Sequence, residues 1–301
     1  MSRLASVFAR SRAERRAAFI AYLTAGDPSV DDTVALARAL AAAGADVLEL
    51  GVPFSDPIAD GPVIQRATSR ALAGGTTLDS VLDAARRIRA ETDLALVLFS
   101  YVNPLMRYGL SRAAGAAHDA GCDGVLLTDV PPEEAPGVTP HFVRAGLDTI
   151  FLASPTSDPA RMRAAARLSR GFLYVVSRPG TTGARAALPP DLAKTVNRAR
   201  EAADGLPVAV GFGIGTPDAA RRAARLADGV VVGSALVGAA ESAAPARRTA
   251  AVGDLAARLV RACRRSARTG GRAGERSART GGRAGEREAR TGGRAGETES
   301  E

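Results

Sequence analysis

Short apolar runs recur along this chain, each separated from the next by a longer stretch whose apolar residues fall three and four positions apart. The runs are Phe19 to Thr24, Val47 to Leu50, Leu94 to Phe99, Gly124 to Leu127, Thr149 to Leu152, Phe172 to Val176, Pro207 to Val210 and Gly229 to Val232. Runs this short with so little polar alternation mark strands covered on both faces, as in a parallel sheet. Between them the spacing predicts helices over 30–43, 77–91, 110–120, 133–145, 158–169, 191–202, 217–226 and about 247–263, with glycine or proline at many boundaries. Residues 2–16 read as an amphipathic helix with Leu4, Val7 and Phe8 on one face, suited to plugging the bottom of a barrel.

About eight strand–helix units in about 250 residues fit an α/β protein closed as a (β/α)8 TIM barrel with an N-terminal capping helix. A doubly wound open sheet is the alternative, but its glycine-rich turn belongs after the first strand, and here the Gly-rich turns come late. Residues 1–265 are expected to form the barrel domain. From Ser266 the chain repeats SARTGGRAGER twice and then EARTGGRAGET. These residues, 266–301, contain nothing apolar larger than alanine, so they are expected to be a disordered Arg/Gly-rich tail. A right-handed coiled coil of that eleven-residue period would need an apolar seam, which the repeats lack.

Charge changes this picture little. The net charge is +8, but ten arginines and six glutamates lie from Arg264 onward, so half of the excess is in the residues from Arg264 to the end. With 4% aromatic residues the body lacks the stacking surfaces of a nucleic-acid binder. No apolar run is long enough to span a bilayer, and the amino terminus has scattered arginines rather than a leader's apolar block, so a cytoplasmic protein is expected. Cys122 and Cys263 have no ligand spacing around them and read as unpaired thiols, while His118 and His141 fall on predicted helices away from strand ends.

The chemistry gathers at strand ends. Glu49 closes an apolar strand, where a charge is penalised, and burial should push its carboxyl upward. Asp60 follows in a loop with Ser55 and Asp56 and is expected to stay ionised in polar surroundings. Two carboxylates of different environment suit proton shuttling, one as acid and one as electrostatic partner. Without further information Glu49 is also readable as a rim salt bridge, and Asp60 as a helix N-cap. Late in the chain Gly183, Gly213 and Gly233-Ser234 occupy three loops that together read as a phosphate cradle, the last ahead of a short helix.

The string LELGVPFSDPIADGPVIQ resembles the signature of the tryptophan synthase alpha subunit family, and similar strings recur over residues 19–236. The resemblance implies retro-aldol cleavage of indole-3-glycerol phosphate to indole and glyceraldehyde 3-phosphate, with no metal or organic cofactor in this subunit. It implies that Glu49 protonates the ring carbon bearing the glycerol chain, that Asp60 stabilises charge at the ring nitrogen and that Tyr174 orients Glu49. An indole pocket is then expected at Tyr22, Phe99, Tyr101, Leu126 and Leu152. Loops 53–60 and 178–190 are the ones expected to move, Thr182 meeting Asp60 on closure, and Pro179 and Thr181 depart from the family pattern in a way that stiffens the second loop. A beta subunit carrying pyridoxal phosphate is the implied partner, in a two-alpha, two-beta assembly with Asp56 and Pro57 at the interface. Two alternatives stay open, a non-catalytic activating subunit and another phosphate-binding barrel enzyme of indole biosynthesis.

Overall fold

The computed structural model describes residues 1–177, 188–211 and 213–264. Among them nine strands form one parallel sheet: β1 (Ala18–Thr24), β2 (Val47–Gly51), β3 (Ala95–Ser100), β4 (Gly124–Leu127), β5 (Asp148–Ile150), β6 (Leu152–Ala153), β7 (Leu173–Val176), β8 (Val208–Gly211) and β9 (Gly229–Val232). Their order is β5-β4-β3-β2-β1-β9-β8-β7-β6. The two ends of that order are consecutive in the chain, parted only by Phe151, so the sheet closes on itself. Arg170 N–H donates to the Thr149 carbonyl at 2.7 Å and Tyr174 N–H to the Phe151 carbonyl at 3.1 Å, which carries the pairing past the irregular residue. The run 148–153 is thus one stave of a (β/α)8 barrel.

Alternation sorts the strand side chains into two cores. Ile20, Tyr22, Val47, Val97, Phe99, Leu126, Tyr174, Ala209 and Val231 share the interior cluster, whereas Phe19, Ala21, Leu48, Leu50, Leu96 and Leu98 face the helices. Glu49 is paired in register with Tyr22 on one side and Val97 on the other, and so shares their inward face. The helix Arg3–Ala13 closes the interior from below. Leu4, Val7 and Phe8 belong to the inner cluster, the Phe8 and Phe172 rings stand 5.4 Å apart, and Leu4 sits against Gly124 and Gly171 at the N-terminal ends of β4 and β7.

The same rim carries a repeated device. The strings Ala43-Gly44-Ala45-Asp46, Ala120-Gly121-Cys122-Asp123 and Ala145-Gly146-Leu147-Asp148 each end a helix and begin a strand. Gly44, Gly121 and Gly146 take φ of 91°, 85° and 84°, a left-handed turn that glycine adopts without a Cβ penalty. Asp46 then accepts the Phe19 N–H of the neighbouring strand at 2.8 Å, and Asp123 the Leu96 N–H at 2.8 Å. Asp228, ahead of β9, accepts the Val208 N–H at 3.1 Å. Each carboxylate ties the free lower end of one strand to the start of the next and is balanced by an arginine: Arg16, Arg89 and Arg200 respectively.

Two helices differ from expectation. The single helix predicted over 133–145 is a 3-10 turn at Ala135–Gly137 and a short helix Thr139–Arg144, because Pro136, Gly137 and Pro140 interrupt it. Residues 100–109, SYVNPLMRYG, fall between the predicted strand ending at Phe99 and the predicted helix 110–120, yet contain the helix Val102–Tyr108. Pro104 falls in its first turn, where no N–H bond is lost, and Asp129 accepts the Val102 N–H at 2.8 Å. Two further helices, Pro62–Ala73 and Ser234–Ser242, are additions to the regular alternation, each followed by a barrel helix, Leu78–Glu91 and Arg248–Ala262.

Candidate active site

The C-terminal mouth of the barrel holds a cavity lined by Tyr22, Glu49, Asp60, Ile64, Phe99, Tyr174, Gly213, Ile214, Val231, Gly233 and Ser234. Both acids and the described late-loop residues therefore meet in one place, although they are up to 185 positions apart in sequence. Thr182 and Gly183, with Pro179 and Thr181, lie outside the described residues.

Glu49 is 1% exposed, and its Oε1 is buried with no hydrogen-bond partner among the described residues. Burial alone pushes its carboxyl up to about 8, so it is mostly protonated at neutral pH and available as an acid. Tyr174 lines the same cavity, yet it does not supply that missing bond to Oε1. A Cβ on Gly211 would lie 2.2 Å from the Tyr174 hydroxyl, and one on Gly51 would lie 2.2 Å from the Tyr22 hydroxyl. Two strand-terminal glycines thus make room for two tyrosine hydroxyls.

Asp60 corrects the sequence expectation of a polar loop setting. It is 7% exposed, and burial pushes its carboxyl up to about 6, opposed by a hydrogen bond from Tyr101. It remains largely ionised at neutral pH, but by a smaller margin than a solvated aspartate. Tyr101 donates to Asp60 Oδ2 at 3.2 Å and accepts the Ala59 N–H at 2.9 Å, so one hydroxyl holds both the carboxylate and the backbone beside it. Tyr101 is therefore a support for Asp60 and does not line the cavity, in contrast to its predicted place in an indole pocket. Leu126 and Leu152 are likewise absent from the lining, although they pair in register with the lining residues Phe99 and Tyr174 and share their inner cluster.

Of the predicted pocket residues Tyr22 and Phe99 do face the cavity, their rings edge to face at 5.1 Å. Tyr22 is held neutral by burial and by Asp60, and among the described residues its hydroxyl makes only a long 3.4 Å contact with Thr24. The apolar wall is completed by Ile64, Ile214 and Val231, which sequence reasoning missed. Val231 was findable, since alternation along β9 puts it on the same face as Gly229. Ile64 was not, because it reaches the cavity only through the return of its helix over the mouth.

Gly213 has φ 82°, and Gly233 caps the helix Ser234–Ser242 without a side-chain hydrogen bond. Backbone N–H groups at that helix start are able to meet an anion. On the rim outside the cavity, Asp56 is exposed, Pro57 half-buried and Ile58 79% exposed. Among the described residues no three His, Cys, Asp or Glu side chains are grouped as a metal site, and no helix is long and apolar enough to cross a membrane.

A sequence profile of the Tryptophan synthase alpha chain matches residues 8–264. The chain belongs to the tryptophan synthase alpha chain family. The tryptophan synthase alpha chain of Geobacter sulfurreducens is 52% identical over 237 residues, covering 79% of this chain and 89% of that one. That of Methylibium petroleiphilum is 47% identical over 274 residues, 91% of this chain and all of its own. Among solved structures, tryptophan synthase of Mycobacterium tuberculosis superposes with a TM-score of 0.81 at 39% identity over 88% of this chain and 99% of that one. Tryptophan synthase alpha subunit of Legionella pneumophila gives 0.79 at 41% over 87% and 98%. The family's activity is a lyase reaction on indole-3-glycerol phosphate in tryptophan biosynthesis, and family membership implies a tryptophan synthase beta subunit as partner.

Proposed function

We propose that this chain cleaves indole-3-glycerol phosphate at the cavity between Glu49 and Asp60, with the phosphate held at Gly213, Gly233 and Ser234 and, outside the described residues, Gly183. Glu49 gives its proton to the ring carbon bearing the glycerol chain, and Asp60 stabilises the positive charge left at the ring nitrogen. The carboxylate of Glu49 then takes the proton of the adjacent glycerol hydroxyl. As that hydroxyl becomes the aldehyde, the carbon–carbon bond breaks and its electron pair returns to the ring, giving indole and glyceraldehyde 3-phosphate. Tyr22, Phe99, Ile64 and Val231 supply apolar walls for the ring, and Tyr174 orients Glu49. Thr182 joins Asp60 when the loops close.

What supports this reading is the pair of buried carboxyls in one cavity, one raised to about 8 and the other to about 6, so that neutral pH leaves one protonated and the other ionised. No cofactor is required in this chain. Pyridoxal phosphate belongs to the beta subunit, with which it forms a cytoplasmic two-alpha, two-beta assembly docked through Asp56 and Pro57. Indole release from indole-3-glycerol phosphate, measured for the wild-type chain and for Glu49→Gln with and without beta subunit, tests the assignment. The variant is expected to lose at least about three orders of magnitude in turnover, as when an essential proton donor is removed. Undiminished release by the variant would remove Glu49 from its role, and stimulation of the beta subunit with no cleavage by the wild type would make this an activating subunit only.

A further inference from the structure

The two added helices, Pro62–Ala73 and Ser234–Ser242, lie against each other and over β1. The first begins directly behind Asp60-Gly61, and the second begins at Ser234. Ile64 and Val237 join the inner cluster from these two helices, and a Cβ on Gly238 would stand 3.8 Å from Val63. Further along, the pair is cross-linked by charge. Arg66 donates through Nε and Nη2 to the two Glu241 oxygens at 2.8 and 2.7 Å. Arg70 donates through Nη1 to Glu241 Oε1 at 2.7 Å and, through Nε and Nη2, to both oxygens of Asp27 at 2.8 Å each.

Asp27 is buried in the turn after β1, and none of these four residues lines the cavity. The Arg66 to Glu241 pair is exposed on the arginine side, and such pairs contribute little alone. Arg70 differs: its guanidinium makes a two-bond fork to a buried carboxylate and reaches a second carboxylate on another element. Arg66 and then Arg70 hold the Glu241 carboxyl down at about 2, so the brace is charged throughout the neutral range.

We propose that Arg70 is a positioning residue for cleavage: by joining Glu241 to Asp27 it fixes the spacing between the Asp60 end and the Ser234 end of the cavity. The inference rests on the function proposed above, in which those ends hold the ring and the phosphate of one substrate. Spacing matters only to a ligand that spans both ends. A displacement of about 1 Å in such a span costs about a hundredfold in rate, whereas inorganic phosphate touches one end and is indifferent to the other.

The test compares Arg70→Met and Arg70→Lys with wild type, using kcat and KM for indole-3-glycerol phosphate and the inhibition constant of inorganic phosphate. Arg70→Met is expected to lower kcat/KM by about 30-fold while the phosphate constant stays within about two-fold. Arg70→Lys should fall between, because an ammonium cannot reproduce the fork. Unchanged kcat/KM in a folded Arg70→Met chain overturns the proposal, as does a loss of phosphate affinity in equal proportion to the loss in kcat/KM. If Arg70→Met does not fold, Glu241→Gln carries the same comparison with the Asp27 fork intact. A wild-type chain that releases no indole overturns the functional reading itself, and this proposal with it.

Discussion

At the scale of single residues the site depends on keeping two carboxyls in different protonation states. Glu49 is shifted from 4.5 to about 8 by desolvation, so the fold favours its neutral form. Its contribution to stability is fully present below about pH 4.5 and is lost as pH rises through 8. Glu49→Gln, which imitates the neutral acid and does not titrate, should therefore match wild type in denaturant unfolding near pH 5. It should exceed wild type by on the order of 3 kcal/mol near pH 9. A variant no more stable at high pH would mean that water or a partner solvates the native carboxylate. Asp60 behaves differently because Tyr101 donates to it. Tyr101→Phe removes the one effect opposing burial, so the Asp60 carboxyl rises above its present value of about 6. Tyr22 also faces Asp60, but burial keeps it neutral and it remains so in the variant. Since cleavage needs Asp60 ionised, the acid limb of the kcat/KM profile should move up by about half to one pH unit. The basic limb, set by Glu49, should stay in place. An unmoved acid limb would show that Tyr101 only packs. Glu49 was legible in the sequence because a strand of valine and leucine buries what it carries. Asp60 was misjudged because its burial comes from Tyr101 and the neighbouring strands, which no local composition reveals.

At the scale of elements, strand and helix order followed from apolar spacing, but the ties between strands did not. The Gly-x-Asp endings at Asp46 and Asp123 look in sequence like ordinary helix stops, and their second half is a contact with a neighbouring strand. Asp46 makes the case most fully. It is 5% exposed, accepts the Phe19 N–H and takes two hydrogen bonds from Arg16 at 2.6 and 2.7 Å. Asp46→Ala leaves the buried Phe19 N–H without its acceptor and the half-buried Arg16 guanidinium with Glu14 and the Ala17 carbonyl as its remaining acceptors. Its expected cost is about 3 kcal/mol in denaturant unfolding, the scale of breaking one side of a buried ion pair. The lesion sits at the N-terminal rim, so turnover per folded molecule and its pH profile should not change. A cost under about 1 kcal/mol, typical of an exposed pair, would reduce the device to surface decoration. Gly51 and Gly211 show the same limit of legibility. Each breaks a strand pattern for a reason visible only when the tyrosine of the adjacent strand is in place.

For the whole molecule, the barrel separates duties between its ends: the plug of Leu4, Val7 and Phe8 and the aspartate ties below, the carboxyls and added helices above. Closure of the sheet was readable from eight alternating units, whereas the split of one stave at Phe151 was not, being a matter of register around the ring. The repeats from Ser266 onward belong to neither end by sequence, and the family profile stops at residue 264. With eight arginines and six glutamates from Ser266, their one evident physical property is a modest positive charge, whose effect on any partner is screened by salt. A chain ending at Arg265 should therefore unfold at the same denaturant midpoint as the full chain and cleave indole-3-glycerol phosphate with the same kcat/KM. Both comparisons should hold with and without beta subunit, at low and at physiological ionic strength. A loss confined to low salt and to the presence of beta subunit would reveal an electrostatic docking role for the repeats. A lower midpoint in every condition would mean instead that residues beyond 265 pack on the barrel, and that the domain boundary inferred from composition is wrong.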